Sequence, residues 1–157
     1  MADLHAASRT RRRLFLMRHG EAEPYLKDDA SRALTATGRA SVASKQTLLP
    51  AIDLMVVSPY LRALQTADIL VGEGLQVSYR TVDERVTPDC ELDPIIDELI
   101  NPTLQTQLIV AHNPLLSRLV RLLCGNQAQS INLHTADIAC LEADDFQPGC
   151  AQLLWVR

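Results

Sequence analysis

The sequence predicts an α/β protein: a three-layer α/β/α sandwich with a mostly parallel mixed sheet and a C-terminal antiparallel hairpin. Three observations carry that prediction. Short apolar runs at residues 14–17, 54–57 and 108–111 read as buried strands. Stretches with helical spacing of their apolar residues follow them, and such alternation builds a parallel sheet covered by helices. The end of the chain departs from the pattern. Residues 136–142 and 150–157 read as two strands around Asp144-Asp145 and Pro148-Gly149, and so short a connection makes them an antiparallel pair.

The first strand, Leu14-Phe15-Leu16-Met17, runs straight into Arg18-His19-Gly20-Glu21. Its polar residues emerge at a strand's carboxyl end, the edge at which open α/β sheets bind ligands. Gly20 is expected to let the backbone turn sharply behind them. A loop over 22–33 follows, with Pro24, Lys27, Asp28, Asp29, Ser31 and Arg32. Thr35 is the expected N-cap of a helix over 36–49, stopped by Pro50 and weakened by Gly38 in its first turn. After the second strand, Pro59 suits a helix start and Ser58 is expected to cap it. Leu61, Leu64, Ile69 and Leu70 mark that helix over 60–71, before Gly72 and Gly74. Residues 76–82 alternate as a third strand, 83–94 form a polar loop, and 92–100 a short helix stopped by Asn101-Pro102. The strand at 108–111 ends in His112-Asn113-Pro114, and a helix over 115–124 is closed by Gly125.

At 157 residues the chain is long enough for one domain with a proper core. Residues 1–13 carry Arg9, Arg11, Arg12 and Arg13 with little apolar content and read as a flexible basic leader; residues 14–157 read as the single domain. A net charge of −4 argues against nucleic acid as a main partner. No stretch approaches the roughly 18 apolar residues that span a bilayer, and the N-terminus lacks a secretory pattern. The four cysteines, Cys90, Cys124, Cys140 and Cys150, form no C-x-x-C pair and read as reduced thiols. The expected setting is therefore cytoplasmic, with no membrane partner.

Three strand ends carry similar equipment: Arg18-His19-Gly20, Ser58-Pro59-Tyr60-Leu61-Arg62 and His112-Asn113-Pro114. A parallel sheet would bring them to one edge, placing two imidazoles and two guanidiniums in one pocket, with Arg32 a candidate to join them. These motifs contain no matching carboxylate, and a pocket of unpaired cations expects an anion. Phosphate fits best, because guanidinium forks and imidazole donors cover its oxygens. Imidazole is also a competent nucleophile that holds a transferred group covalently. Taken singly, each residue has a plainer reading. His112 before Asn-Pro could cap the next helix, Arg62 could be a solvated helix residue, and Arg32 could pair with Asp28 or Asp29.

Together the segments resemble the histidine phosphatase superfamily, with its phosphoglycerate-mutase-like fold. The resemblance rests on Leu16-Met17-Arg18-His19-Gly20-Glu21, Leu34-Thr35-Ala36-Thr37-Gly38, Ser58-Pro59-Tyr60-Leu61-Arg62-Ala63-Leu64-Gln65-Thr66-Ala67 and Val110-Ala111-His112-Asn113-Pro114. It covers residues 14–157, and their order in so short a chain looks most like the small phosphohistidine phosphatase branch. The resemblance implies that His19 is the nucleophile that becomes phosphorylated. It implies that Arg18 and Arg62 hold the phosphoryl oxygens, that His112 completes the pocket, and that Arg32 is a further phosphate-side arginine. Phosphoryl transfer is mostly positioning and charge stabilisation, so arginines can serve in place of a metal, and no cofactor is expected. For neutral His19 to attack, one ring nitrogen must be free while the other donates to a carbonyl.

The sequence departs from larger members of the superfamily at the general acid. Where they carry a carboxylate, this chain reads Asp83-Glu84-Arg85-Val86-Thr87-Pro88-Asp89, with Glu84 the nearest match. Arg85 could neutralise it, and a solvated surface glutamate is the plain alternative. A site with a weak acid favours a phosphorylated imidazole, which leaves as a neutral base, over an alkyl phosphate. The expected function is therefore a metal-independent phosphatase acting on phosphohistidine of a signalling protein, inhibited by phosphate, sulfate, vanadate or tungstate. The alternatives are a phosphatase of small phosphomonoesters and a non-catalytic phosphate-binding module.

Overall fold

A computed structural model of the chain describes residues 11–24 and 28–157. Six strands form one sheet: β1 (Arg12–Arg18), β2 (Ile52–Val57), β3 (Val77–Val82), β4 (Thr106–Ala111), β5 (Ile138–Ala143) and β6 (Gln152–Val156). Their spatial order is β3-β2-β4-β1-β5-β6. The first four strands are mutually parallel, while β5 runs antiparallel to β1 and β6 antiparallel to β5. The expected mixed sheet and C-terminal hairpin are both present. The first strand begins earlier than expected, however: Arg12 and Arg13 pair with Ala143 and Glu142 of β5 instead of belonging to the leader. Residues 1–10 of that leader lie outside the described residues.

Side chains alternate across β1, and each face has its own core. Phe15 and Met17 pack with Met55, Val57, Leu108 and Val110 under helices α1 (Ala36–Lys45) and α2 (Leu61–Gly72). Leu14 and Leu16 pack on the opposite side with Ile109, Leu115, Leu119 and Leu123, under helix α3 (Leu115–Cys124). Ile95, Ile96 and Leu99 complete that second core from a wide helical turn at Ile95–Leu99. The regular helix expected over 92–100 is this π-type turn instead, closed by the Ile100 N–H on the Ile95 carbonyl. The helix expected over 36–49 likewise ends at Lys45 and tightens into a three-residue turn, Gln46–Leu48.

Two glycines close the gap between the end of β1 and α1. The expected sharp turn at Gly20 is not the reason for that residue, because its φ lies outside the left-handed region. Space is the reason: a Cβ there would come within 2.7 Å of Val42 Cγ2 and 2.9 Å of the Gly38 carbonyl oxygen. A Cβ on Gly38 would strike the Glu21 backbone. Thr35 caps α1 as expected, accepting from the Gly38 N–H at 2.9 Å, and its own N–H donates to the Glu21 carbonyl at 3.0 Å. Gly38→Ala is therefore expected to destabilise the protein by about 1–3 kcal/mol through overpacking, despite alanine's better helix propensity. Urea unfolding measures the change, and a stabilised variant would mean that helix propensity outweighs the contact.

Candidate active site

Register brings the strand ends together. Arg18 lies opposite Ala111 in the β1–β4 pair, so the next residues, His19 and His112, leave adjacent strands side by side. Their ring centroids are 5.1 Å apart. In the β2–β4 pair Val57 lies opposite Val110, which puts Ser58 beside the same edge. Arg62 follows in the first turn of α2 and is 4% exposed. Thr66, one turn on, ties that helix to the first motif: its Oγ1 accepts from the Gly20 N–H at 3.1 Å and donates to the Arg62 carbonyl at 2.8 Å. Ala136 braces the other side. It sits in the left-handed region at φ 65°, with its N–H shared between the carbonyls of Arg18 and His19. That strained conformation is uncommon for a residue with a Cβ and is held by these two acceptors.

Arg18, His19, Arg62 and His112 thus share one pocket. His19 Nδ1 lies 2.7 Å from the carbonyl oxygen of Gly20, which can only accept, so Nδ1 carries the hydrogen. Nε2 then holds a lone pair, and the Arg62 Nε–H donates to it at 3.1 Å. Burial, and after it the Arg62, Arg18 and Arg32 charges, push the His19 pKa down to about 4 against the favourable Gly20 bond. Burial first, then His19 and Arg62, push His112 down to about 3. Both rings are neutral at pH 7. Arg18 donates from Nη1 to the Leu133 carbonyl at 3.0 Å, while its buried Nε has no partner among the described residues.

The cations are not unpaired, as the motifs alone implied. Asp29 comes from the loop between the first two motifs. Its carbonyl accepts from Arg62 Nη1 at 2.7 Å, and its carboxylate accepts from Arg62 Nη2 at 3.1 Å and Arg32 Nη1 at 2.9 Å. The plain reading of Arg32, a salt bridge to Asp29, is therefore realised, and through Asp29 it joins Arg62. The Arg32 hydrogen bond first, and Arg62 after it, hold the Asp29 carboxyl below the usual range and ionised at neutral pH. Two guanidiniums share the Asp29 carboxylate, while Arg18 makes no contact with it and donates to the Leu133 carbonyl.

Two expectations about side chains change. Ser58 is not the cap of α2: Tyr60 occupies that position, and the Ser58 hydroxyl lies 2.7 Å from His112 Nε2. His112 does not cap α3 with its ring; Asn113 Oδ1 accepts from the Ser117 N–H at 3.0 Å in that role. The contacts of Asp29 with Arg62 and of Ser58 with His112 are those that sequence reasoning missed. The strand-end placement of Ser58 and the i,i+3 spacing of Asp29 to Arg32 were the available signals. Tyr60 is a third: its ring meets His112 edge-on at 4.9 Å between centroids, and the Arg62 guanidinium lies over it at 5.0 Å.

Glu84 makes no hydrogen bond or ion pair with these residues. It is exposed in a short turn, Glu84–Val86, after the edge strand β3, and its carboxylate has no partner among the described residues. The end of β3 lies beside that of β2, where the Asp83 N–H donates to the Val57 carbonyl at 3.0 Å, yet the Glu84 side chain stays exposed. Arg85 does not neutralise it either, because Arg85 pairs with Asp83 at 2.8 Å and Glu98 at 3.0 Å.

The two ring pKa values have a measurable sign. In the unfolded chain both imidazoles protonate near the ordinary 6.5; in the folded protein they wait until about 4 and 3. Folding stability is therefore greatest above pH 6.5 and falls as the pH drops from there toward 4, because the unfolded chain binds protons first. NMR titration of the ring C–H signals is expected to show these depressed midpoints, and midpoints near 6.5 would mean hydrated rings.

The family model of the histidine phosphatase superfamily (branch 1) matches residues 14–87. A phosphohistidine phosphatase SixA homolog from Haemophilus influenzae is 31% identical over 148 residues, covering 82% of this chain and 86% of the relative. Phosphohistidine phosphatase SixA from Escherichia coli K12 is 30% identical over 144 residues, covering 87% and 88%. Among solved structures, the protein histidine phosphatase SixA complexed with tungstate superposes with a TM-score of 0.79 at 27% identity, over 92% of this chain and 95% of that one. Strand order, the register that pairs His19 with His112, and likeness over nearly the whole of these relatives lead to one family: this chain belongs to the histidine phosphatase superfamily, in its SixA-like branch.

Proposed function

We propose that the protein is a phosphatase that needs no metal, works through a phosphohistidine intermediate on His19, and acts on phosphohistidine of a signalling protein. The observation that best supports this is the hydrogen placement on His19. With Nδ1–H on the Gly20 carbonyl at 2.7 Å, the Nε2 lone pair faces the pocket in a neutral ring. In the first step Nε2 forms a bond to phosphorus as the bond from phosphorus to the leaving atom breaks. The transition state is loose, so the charge of Arg18 and Arg62 does most of the stabilising. The Arg62 Nε–H that rests on Nε2 turns to the phosphoryl oxygens as the lone pair is used. In the second step water attacks phosphorus, and His19 departs with the bonding electrons and its Nδ1–H. Inorganic phosphate carries away the oxygen of that water.

The substrate class follows from the protons the site lacks. Asp29 is ionised between two arginines and has none to give at neutral pH. Glu84 is exposed, and its carboxylate has no partner among the described residues. A leaving group must then depart unaided. A phosphorylated imidazole protonated on its other nitrogen leaves as a neutral base, and an alkoxide does not. The relatives' name, phosphohistidine phosphatase, and the tungstate in the SixA complex support the same reading.

Hydrolysis of an aryl phosphate with chelator present, inhibited by tungstate, tests the reading, and no hydrolysis would leave a binding module. Glu84→Gln should change aryl phosphate, phosphohistidine and alkyl phosphate turnover little and equally, with alkyl phosphates slow from the outset. General acid catalysis typically contributes about 10²–10⁴-fold. A selective loss of that size on alkyl phosphates would make Glu84 the acid and small phosphomonoesters the substrates.

A further inference from the structure

We propose that Ser58 is a positioning residue that sets the ring tautomer of His112, so that His112 meets a bound phosphoryl group as a neutral donor through Nδ1–H. The catalytic consequence, and the acceptor for Nδ1–H, rest on the phosphatase reading; the contacts of the Ser58 hydroxyl are geometry.

Ser58 is fully buried, and its Oγ has two partners. The Tyr60 N–H lies 3.2 Å away and His112 Nε2 lies 2.7 Å away. A backbone N–H only donates, so it takes a lone pair of the hydroxyl and leaves the hydroxyl hydrogen to be placed. The acceptor within reach is Nε2. If Nε2 carried the ring hydrogen, the Ser58 hydrogen would be buried with no acceptor among the described residues; with the hydrogen on Nδ1, the donor left over is the one that a bound phosphoryl oxygen can satisfy. Nε2 therefore accepts. The ring is neutral, so its one hydrogen sits on Nδ1.

That Nδ1 is buried and has no partner among the described residues. It belongs to a ring that is 1% exposed and stands 5.1 Å from His19 and 4.9 Å from Tyr60 between centroids. A donor is thus kept in the pocket for something that accepts. A phosphoryl oxygen is such an acceptor. An imidazole left to itself in water favours the hydrogen on Nε2, and that form would turn a lone pair toward the phosphoryl oxygens. Ser58 replaces a repulsion with a hydrogen bond and needs no positive charge on His112. Both site histidines then carry their hydrogen on Nδ1 for opposite ends: His19 to free Nε2 for attack, His112 to donate.

The full chain, labelled with nitrogen-15, tests this by long-range ring correlation NMR at pH 7, with His112 assigned by the loss of its signals in His112→Gln. We expect a pyrrole-like Nδ1 and a pyridine-like Nε2 on His112; the reverse in the wild type overturns the proposal without any variant. Ser58→Ala is expected to shift the ring toward the Nε2–H form, weaken tungstate inhibition about tenfold, and lower kcat/KM on an aryl phosphate by about 10–100-fold, the scale seen when a group orienting a ligating side chain is lost. Ser58→Thr keeps the hydroxyl and should restore all three. A Ser58→Ala protein with His112 still in the Nδ1–H form, or with wild-type tungstate inhibition, overturns it. A wild type with the expected tautomer and no aryl phosphate turnover would instead reject the phosphatase reading.

Discussion

His19→Ala is expected to abolish turnover and leave the fold intact. The loss should be on the order of 10⁶-fold, as when a nucleophile that acts as a unit with its neighbours is removed. The fold should survive because the imidazole makes two polar contacts, one to Gly20 and one from Arg62, and the strand beneath it is held by β4 and β5. The direct readout is the intermediate. Brief incubation with labelled substrate, then quenching, should trap a phosphoenzyme that survives base and is lost in acid, because protonation of the ring makes it a good leaving group. Label retained in His19→Ala, or an acid-stable adduct, would place the covalent chemistry elsewhere.

Arg62→Ala is expected to lower the rate on the order of 10²–10³-fold, the scale for one preorganised donor aimed at developing charge. Arg62 is buried at 4% exposure, and three of its nitrogens are engaged, one on His19 and two on Asp29. A second effect has a definite sign. Arg62 lowers the pKa of both His19 and His112, so its removal should raise both midpoints, while burial, the larger cause, keeps them below the ordinary value. Arg62→Lys should not restore the rate, since an ammonium keeps the charge but cannot span His19 and Asp29 as the planar fork does. A variant within twofold of wild type would remove Arg62 from the site.

The parts of the fold that were legible are those in which neighbours along the chain decide the outcome. Four apolar residues ending in Arg18-His19 can only be a buried strand with its polar end at the sheet edge, and β1 is that strand. Leu115–Cys124 was readable as a helix because its apolar spacing and Gly125 lie within a dozen residues. The segment at 92–100 was not: Pro94 and a buried isoleucine pair constrain a wide turn that helical spacing alone does not distinguish from a regular helix. At the pocket, Arg18, His19, Arg62 and His112 could be grouped because each stands at or just past a parallel strand's end. Asp29 could not, because a loop residue declares its partner only once the loop is folded against α2.

What the sequence by itself determined is the alternation of strands and helices, the hairpin at the end, and the cationic residues that such an alternation delivers to one edge. Those follow from local periodicity and from the rule that parallel strands share a carboxyl edge. Only the tertiary structure decided which groups meet the ring nitrogens of each histidine, that Asp29 joins Arg62 to Arg32, that Ser58 lies against His112, and that the Glu84 side chain stays exposed. The Arg62–Asp29, Arg62–His19 and Ser58–His112 contacts depend on distances of about 3 Å between residues tens of positions apart, and hydrogen bonds of that length are set by strand register and loop packing, which no local pattern encodes.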